Sequence, residues 1–213
     1  MSARQRTHRD RQRRRIGQNF LDAATADQIV GDASFSAGEL VVEIGAGSGA
    51  LTLALARRAV RVVAVETDRT WVEQLRRRFS GNRAVTVLTK DFLAVALPRE
   101  RFRVIGSRPF GRTTDILRRL LDDPATPLER ADVIVQWEVA RKRGASPPTT
   151  LLSTAWAPWW EMQVTRRIPA SSFRPVPQVD GGLLRITRRD PPLLPVAMAS
   201  AYGAFVQREW PFA

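Results

Sequence analysis

The chain has 213 residues, 44% of them hydrophobic, and carries 34 Lys and Arg against 21 Asp and Glu, a formal charge of +13. That length supports one sizeable core with a small appendage, and the lack of a long apolar run argues against a secreted or membrane-spanning protein. With no cysteine, and His8 as the only histidine, disulfides, thiolate zinc sites and cysteine nucleophiles are excluded, and little remains for metal or triad chemistry.

Such an excess of positive charge attracts polyanions at long range, and nucleic acid is the first partner to consider. Only Lys90 and Lys142 are lysines. A compositional bias explains arginine over lysine, but it does not explain basic over acidic.

The first 15 residues read as a disordered basic arm. Arg4, Arg6, Arg9, Arg11, Arg13, Arg14 and Arg15 stand against the single Asp10, with no apolar periodicity. An arm of this kind tracks a phosphate backbone and releases counterions, giving salt-sensitive affinity with little sequence information. A solvated tail and a membrane-surface patch are the alternatives; the lack of an amphipathic helix or lipidation signal favours nucleic acid. Residues 16–21, IGQNFL, follow directly, and Asp22 is a good N-cap for a helix over 23–32.

Residues 40–44 form a short apolar run that meets three glycines, Gly45, Gly47 and Gly49, before a helical stretch that ends near Arg58. This reads as strand, tight turn and helix N-terminus, where the backbone approaches a ligand closely and free N–H groups face a crevice. Alone, a glycine turn of this kind is a weak signal. A second β-rich run over 61–65 ends at Glu66, about twenty residues after the first glycine, where an acid can accept both hydroxyls of a ribose. A helix over 68–79 follows, its aromatic residues read as core.

A third run, 84–88, leads to Asp91 and Phe92. Asp91 can accept a hydrogen bond from an adenine amine with an apolar neighbour covering the ring, or can simply cap a helix. A fourth run, 102–105, leads to Ser107, Arg108, Pro109 and Phe110, placing a hydroxyl, a fixed carbonyl and a ring beside the same crevice. A helix over 113–121, a fifth strand over 131–136 and a helix over 137–143 come next, the last exposing Glu138, Arg141, Lys142 and Arg143. Strands alternating with helices at this spacing indicate an α/β fold with a mostly parallel sheet covered on both faces. A helix over 151–155 and antiparallel strands over 156–168 and 182–187 are expected, with a proline-fixed loop over 173–180 presenting Phe173, and a last helix over 196–207. The catalytic domain is taken as 16–190, with 191–213 a short helical C-terminal remnant.

The ordered set of motifs resembles a known family. QNFL (18–21), EIGAGSGALT (43–52), VVAVETD (62–68), KDFL (90–93), SRPF (107–110) and FRPVPQVD (173–180) are similar, in that order, to those of the S-adenosylmethionine-dependent rRNA adenine N6-methyltransferases. The likeness is to the erythromycin-resistance (Erm) branch, which modifies large-subunit 23S rRNA, with the small-subunit KsgA dimethylases as close relatives. It spans roughly residues 16–188 and implies a Rossmann-like class I methyltransferase sheet with a truncated helical C-terminal region, the family's helical RNA-binding domain being longer.

The resemblance further implies that Gln18, Asn19 and the backbone near Leu21 close over the methionine end of the cofactor, with the turn at Gly45, Gly47 and Gly49 beneath it. Glu66, with Thr67 beside it, holds the ribose hydroxyls. Asp91 takes the cofactor's adenine amine, with Phe92 beside its ring. Ser107 stands where the family usually has asparagine or aspartate, bordering the cofactor; its oxygen and the Arg108 carbonyl, fixed by Pro109, accept hydrogen bonds from the target amine. Phe110 and Phe173 stack on the target base.

The chemistry this implies needs no metal, histidine base or covalent intermediate. Acceptors that draw an adenine amine's N–H groups out of planarity make its nitrogen a better nucleophile toward a sulfonium methyl. Reaching that nitrogen requires the base to leave its stack, which aromatic faces offset. RNA contacts are assigned to the arm and to Arg141, Lys142 and Arg143. The expected protein is a cytoplasmic monomer acting on rRNA before ribosome assembly, giving macrolide-type resistance. The alternatives are a catalytically weak RNA-binding or ribosome-assembly factor, which Ser107 favours, a small-subunit rRNA dimethylase, and a small-molecule methyltransferase, which leaves the arginine arm unexplained. A nicotinamide dehydrogenase fits least, since nothing after the second strand serves hydride transfer.

Overall fold

The structure is a computed structural model that describes residues 19–58, 60–107 and 112–210. In chain order the elements are β1 (Phe20–Leu21), α1 (Ala23–Ala33), β2 (Leu40–Ile44), α2 (Ala50–Ala56), β3 (Arg61–Glu66), α3 (Arg69–Arg78), β4 (Val85–Thr89), β5 (Phe102–Ser107), α4 (Thr113–Leu121), β6 (Leu128–Gln136), α5 (Trp137–Arg143), α6 (Leu151–Trp156), β7 (Trp160–Ile168), β8 (Phe173–Arg174), β9 (Gly181–Arg188) and α7 (Ala199–Glu209).

Seven strands make one sheet in the order β4-β3-β2-β5-β6-β9-β7. The first five are parallel, while β9 runs antiparallel between β6 and β7. The order reverses between β2 and β5, because the chain first builds outward through β3 to β4 and then returns to the other side of β2. At such a reversal the crossover connections leave on opposite faces, opening a crevice at the carboxyl ends of the two strands. Ile44 and Gly106 are register partners at that point.

All five β2 side chains are buried, as a central parallel strand covered on both faces requires. Two apolar clusters lie on the sheet, one containing Val104, Phe102, Leu117, Leu120 and Trp160, the other Val41, Ile29, Leu55, Ile105 and Phe173. The helices deliver one apolar stripe each: α4 buries Ile116, Leu117, Leu120 and Leu121, and α3 buries Val72 and Leu75. Asp22 caps α1 by accepting from the Thr25 N–H at 2.7 Å, as its position predicts.

Three details differ from the expectation. Trp156 closes α6 and its indole donates to Asp122 at 2.8 Å, so β7 begins only at Trp160. The last helix starts at Ala199, after a single tight turn over Val196–Met198. Phe173 and Arg174 lie in a short strand paired with β1, where a presenting loop was expected.

Away from the crevice a buried charge cluster joins three strands. Asp132 on β6 has no exposed surface; it accepts from Arg130 at 2.7 Å and Arg185 of β9 at 2.8 Å, with Arg103 of β5 at 3.7 Å. Arg103 also pairs with Glu39 at 3.1 Å and lies over the Phe35 ring at 4.0 Å. Removing the one carboxylate leaves three guanidinium groups facing one another with little water. Asp132→Ala is therefore expected to cost about 3–5 kcal/mol, read as a lowered urea midpoint; an unchanged midpoint would show that these strands are held by apolar packing alone.

Candidate active site

At the strand-order reversal a crevice of about 600 Å³, open to solvent, is lined by Asn19, Phe20, Leu21, Glu43, Gly45, Ala46, Gly47, Ser48, Ala50, Leu51, Glu66, Thr67 and Ser107. The floor is the turn between β2 and α2. Gly47 has φ +51°, and a Cβ there would stand 2.8 Å from the Phe20 ring. Gly49 has φ +81°, and a Cβ there would stand 2.7 Å from Leu75. Both positions have a backbone conformation that side chains rarely adopt, and a Cβ at either would also displace the side chain packed over it.

Glu66 closes one wall. Its carboxylate accepts from the backbone N–H groups of Gly47 (2.9 Å), Thr67 (2.6 Å) and Asp68 (2.9 Å), and from the Thr67 hydroxyl. These bonds fix the acid at the end of β3 and tie it to the glycine turn. Ser107 enters from the far side as the last residue of β5, one step beyond the Ile44–Gly106 register pair.

Glu43, which the sequence reading passed over as part of a motif, is the main addition. Its side chain is buried, with one oxygen accepting from the Thr52 hydroxyl at 2.6 Å, while Oε1 has no hydrogen-bond partner among the described residues. Burial, opposed by the Thr52 bonds and reinforced by the neighbouring Glu66 charge, pushes its carboxyl up to about 7 from the ordinary 4.5. A signal was present in the sequence, since an acid inside the apolar run LVVEI has no reason to be there unless something uses it. Phe20 is the second addition: its ring packs 4.7 Å from Trp71 of α3 and bounds the space over Gly47.

Asn19, Leu21, Gly45, Gly47, Glu66, Thr67 and Ser107 are thus brought together as expected. Gly49 lies one step outside the lining, in the N-cap position of α2. Asp91 and Phe92 are not part of the lining. Asp91 caps the short turn over Phe92–Ala94, accepting from Leu93 N–H at 3.1 Å, and its other oxygen accepts from Arg112 at 2.7 Å. Phe92 has no exposed surface and belongs to the core beneath, so it offers no face to a ring.

Phe173 requires a correction. It is 1% exposed, because pairing of β8 with β1 places it opposite Leu21 and turns its ring into the apolar cluster. In this arrangement it supports the crevice wall and presents no surface for stacking on a base. Of the proposed RNA contacts, Arg141 and Lys142 are exposed, Arg141 lying 3.4 Å from Glu138. Arg143 turns inward instead, donating to the Thr150 hydroxyl at 2.8 Å beside the Trp156 ring, with burial and the nearby Arg118 lowering its pKa. It joins α5 to α6. Gln18, Arg108, Pro109, Phe110 and the arginines of 4–15 lie outside the described residues. Among the described residues there is no group of three or more side chains suited to a metal ion, and no helix long and apolar enough to cross a membrane.

The donor set fits a cationic, ribose-bearing cofactor: an acid with an unsatisfied buried oxygen, a second acid at the strand end, and a cradle that a Cβ would fill. Glu43 also yields a stability test. Its folded pKa exceeds the unfolded value, so the neutral acid's contribution is full below about pH 4.5 and is lost as pH rises, completely above about 7. The swing is on the order of 3 kcal/mol. Glu43→Gln, neutral at every pH, is expected to flatten the decline in melting temperature between pH 5 and 8; an unchanged profile would show that Glu43 ionises freely.

The sequence matches the family described as ribosomal RNA adenine dimethylase over residues 9–210. It is 40% identical over 204 residues to an rRNA methyltransferase of Streptomyces thermotolerans, covering 95% of this chain and 68% of that one. Identity to the mycinamicin-resistance protein MyrB of Micromonospora griseorubida is 42% over 183 residues, 85% of this chain and 58% of the relative. The fold matches the crystal structure of the 23S rRNA methyltransferase ErmE with a TM-score of 0.79 at 33% identity, over 88% of this chain and 77% of that one. Against such curated relatives the chain spans from 53% to 74% of their length.

Proposed function

We propose that this chain, which belongs to the ribosomal RNA adenine dimethylase family, methylates the N6 amine of an adenine in large-subunit rRNA, using S-adenosylmethionine, and thereby confers macrolide-type resistance. The observation that carries the reading is the crevice at the β2–β5 reversal, where Glu43, Glu66 and the glycine turn face Ser107 across the same opening. Relatives of about 40% identity named for rRNA methylation and for resistance to a macrolide support the choice of substrate. S-Adenosylmethionine supplies a sulfonium-activated methyl group.

Each residue has a role that its chemistry allows. Glu66, locked by three backbone N–H groups, keeps acceptor capacity for a ribose hydroxyl on Oε2, which among the described residues takes only the Gly47 N–H, Oε1 being filled by Thr67 and Asp68. Glu43 answers a positive charge in the crevice: a cation near Oε1 favours the ionised acid, so binding a cationic cofactor expels a proton at pH values below about 7. Gly47 keeps the turn low enough for the methionine end to lie on it. Asp91 accepts the adenine amine, sharing its carboxylate with Arg112 or releasing it.

Ser107 accepts a hydrogen bond from the target amine through its hydroxyl oxygen, localising the nitrogen lone pair and aiming it into the crevice. Its hydroxyl also donates, and its reach is shorter than that of asparagine, so positioning rests partly on the neighbouring backbone. With Phe173 buried, Phe110, which lies outside the described residues, is the remaining aromatic of the two assigned from the sequence to stack on the target base.

The deciding experiment is transfer of labelled methyl into protein-free large-subunit rRNA, with small-subunit rRNA alongside and the position mapped by primer extension. Label at one large-subunit adenine is expected. Label in small-subunit RNA alone would assign the chain to the dimethylase branch. No transfer to either RNA, with cofactor binding retained, would leave an RNA-binding factor as the account. Ser107→Ala is expected to lower turnover about 100-fold with cofactor affinity unchanged, and Ser107→Asn to retain activity; equal turnover in Ser107→Ala would remove the hydroxyl from the mechanism.

A further inference from the structure

We propose that α3 and the turn after it form a second RNA-binding surface, in which Arg69, Arg76, Arg78 and Arg83 hold phosphates of the substrate outside the methyl-transfer crevice. The proposal rests on rRNA being the substrate, and it adds a surface that neither the arginine arm nor α5 supplies.

All four side chains are exposed. Among the described residues none of them has a carboxylate within 4.0 Å. Arg76 donates to the Val87 carbonyl at 3.3 Å and the Thr89 hydroxyl at 3.2 Å, and Arg78 to the Ser48 carbonyl at 3.4 Å, contacts that orient a guanidinium without neutralising it. Arg77 differs, with Glu73 at 3.7 Å, and is left out. From 67 to 90 the chain carries Arg69, Arg76, Arg77, Arg78, Arg83 and Lys90 against Asp68 and Glu73 only. Asp68 is engaged as the N-cap of α3, accepting from Thr70 N–H at 2.8 Å.

The location suits a substrate already engaged at the crevice. Arg69 begins α3 three residues after Glu66, so the helix N-terminus stands at the rim; at about 100° per residue Arg69 and Arg76 share the flank that meets β4, while Arg78 lies on the opposite flank beside the β2–α2 turn, so the charges border the exposed face of α3 on both sides. Phe20 packs on Trp71 of the same helix. Phe20, near the start of the described residues, is therefore anchored against α3. Guanidinium groups without a carboxylate partner gain by replacing counterions on a phosphate backbone.

There is a bland alternative. β4 is an edge of the sheet, and basic side chains near an edge deter unwanted strand pairing. That role gives no dependence of RNA affinity on these four charges.

The experiment compares the full chain with the variant Arg69→Gln, Arg76→Gln, Arg78→Gln, Arg83→Gln, measuring affinity for protein-free large-subunit rRNA across a potassium chloride series. Each phosphate contact contributes about 0.7–0.9 to the slope of log K against log salt, so four contacts make the variant's slope shallower by about three. KM for RNA is expected to rise at least tenfold near physiological salt, with kcat and S-adenosylmethionine affinity within about twofold of wild type. The charge-preserving lysine variant is expected to keep the wild-type slope.

An unchanged slope and KM in a variant that still binds cofactor would overturn the proposal and leave edge protection as the role. Should the fourfold variant not fold, Arg69→Gln with Arg83→Gln, positions without hydrogen bonds to the fold among the described residues, is expected to lower the slope by about 1.5, and no change there overturns the proposal equally. A wild-type chain that neither binds nor methylates rRNA would instead refute the proposed function, and this surface with it.

Discussion

The carboxylate of Glu66 is the joint on which the site depends. Three backbone N–H groups from two separate segments converge on it, so the end of β3 and the turn after β2 hold one another in place. A glycine turn without such an anchor would be free to close on itself once its ligand left. Here the turn is kept open by an acid whose Oε2 still has room for a ligand's hydroxyl, and binding inherits a shape already formed.

The second acid makes that crevice more than a shape. Glu43 is buried close enough to Glu66 for the two charges to oppose each other, and one of its oxygens has no partner among the described residues. Burial is the main reason Glu43 resists ionising, with the neighbouring Glu66 charge a lesser one, and a cation in the crevice offsets both. The site is thereby matched to a positively charged ligand by electrostatics as well as by fit. The basic surface outside has the opposite sign. An acidic interior inside a basic shell favours a cation within and a polyanion outside, with little competition between them.

Much of this was legible in the sequence, and the failures share a cause. The parallel core strands over 40–44 and 61–66, the helix N-cap at Asp22 and the strand end at Ser107 are set by local apolar patterning and turn chemistry, and they fall where the residues indicate. Phe173 did not, because its orientation is decided by pairing with a segment remote in sequence, which no local pattern reports. Asp91 had two readings on local grounds; the cap is realised, and the partner that shares it, Arg112, comes from a different element. Arg143 looked like its exposed neighbours because only the fold of α5 on α6 distinguishes it. Glu43 was readable as a polar residue in an apolar strand, but the missing partner of Oε1 needed coordinates.

The two-stranded pairing of β1 with β8 also bears on how the molecule is made. Leu21 lies opposite Phe173, and the N–H of Asp22 donates to the Ser172 carbonyl at 2.8 Å, so the wall of the crevice next to Asn19 is supported by residues translated some 150 positions later. A nascent chain that has delivered every glycine and acid of the site still lacks that support. Synthesis proceeds at about 5–20 residues per second, which leaves the crevice without its finished side for several seconds. Affinity for the cofactor accordingly arrives only once the chain has been made as far as Phe173.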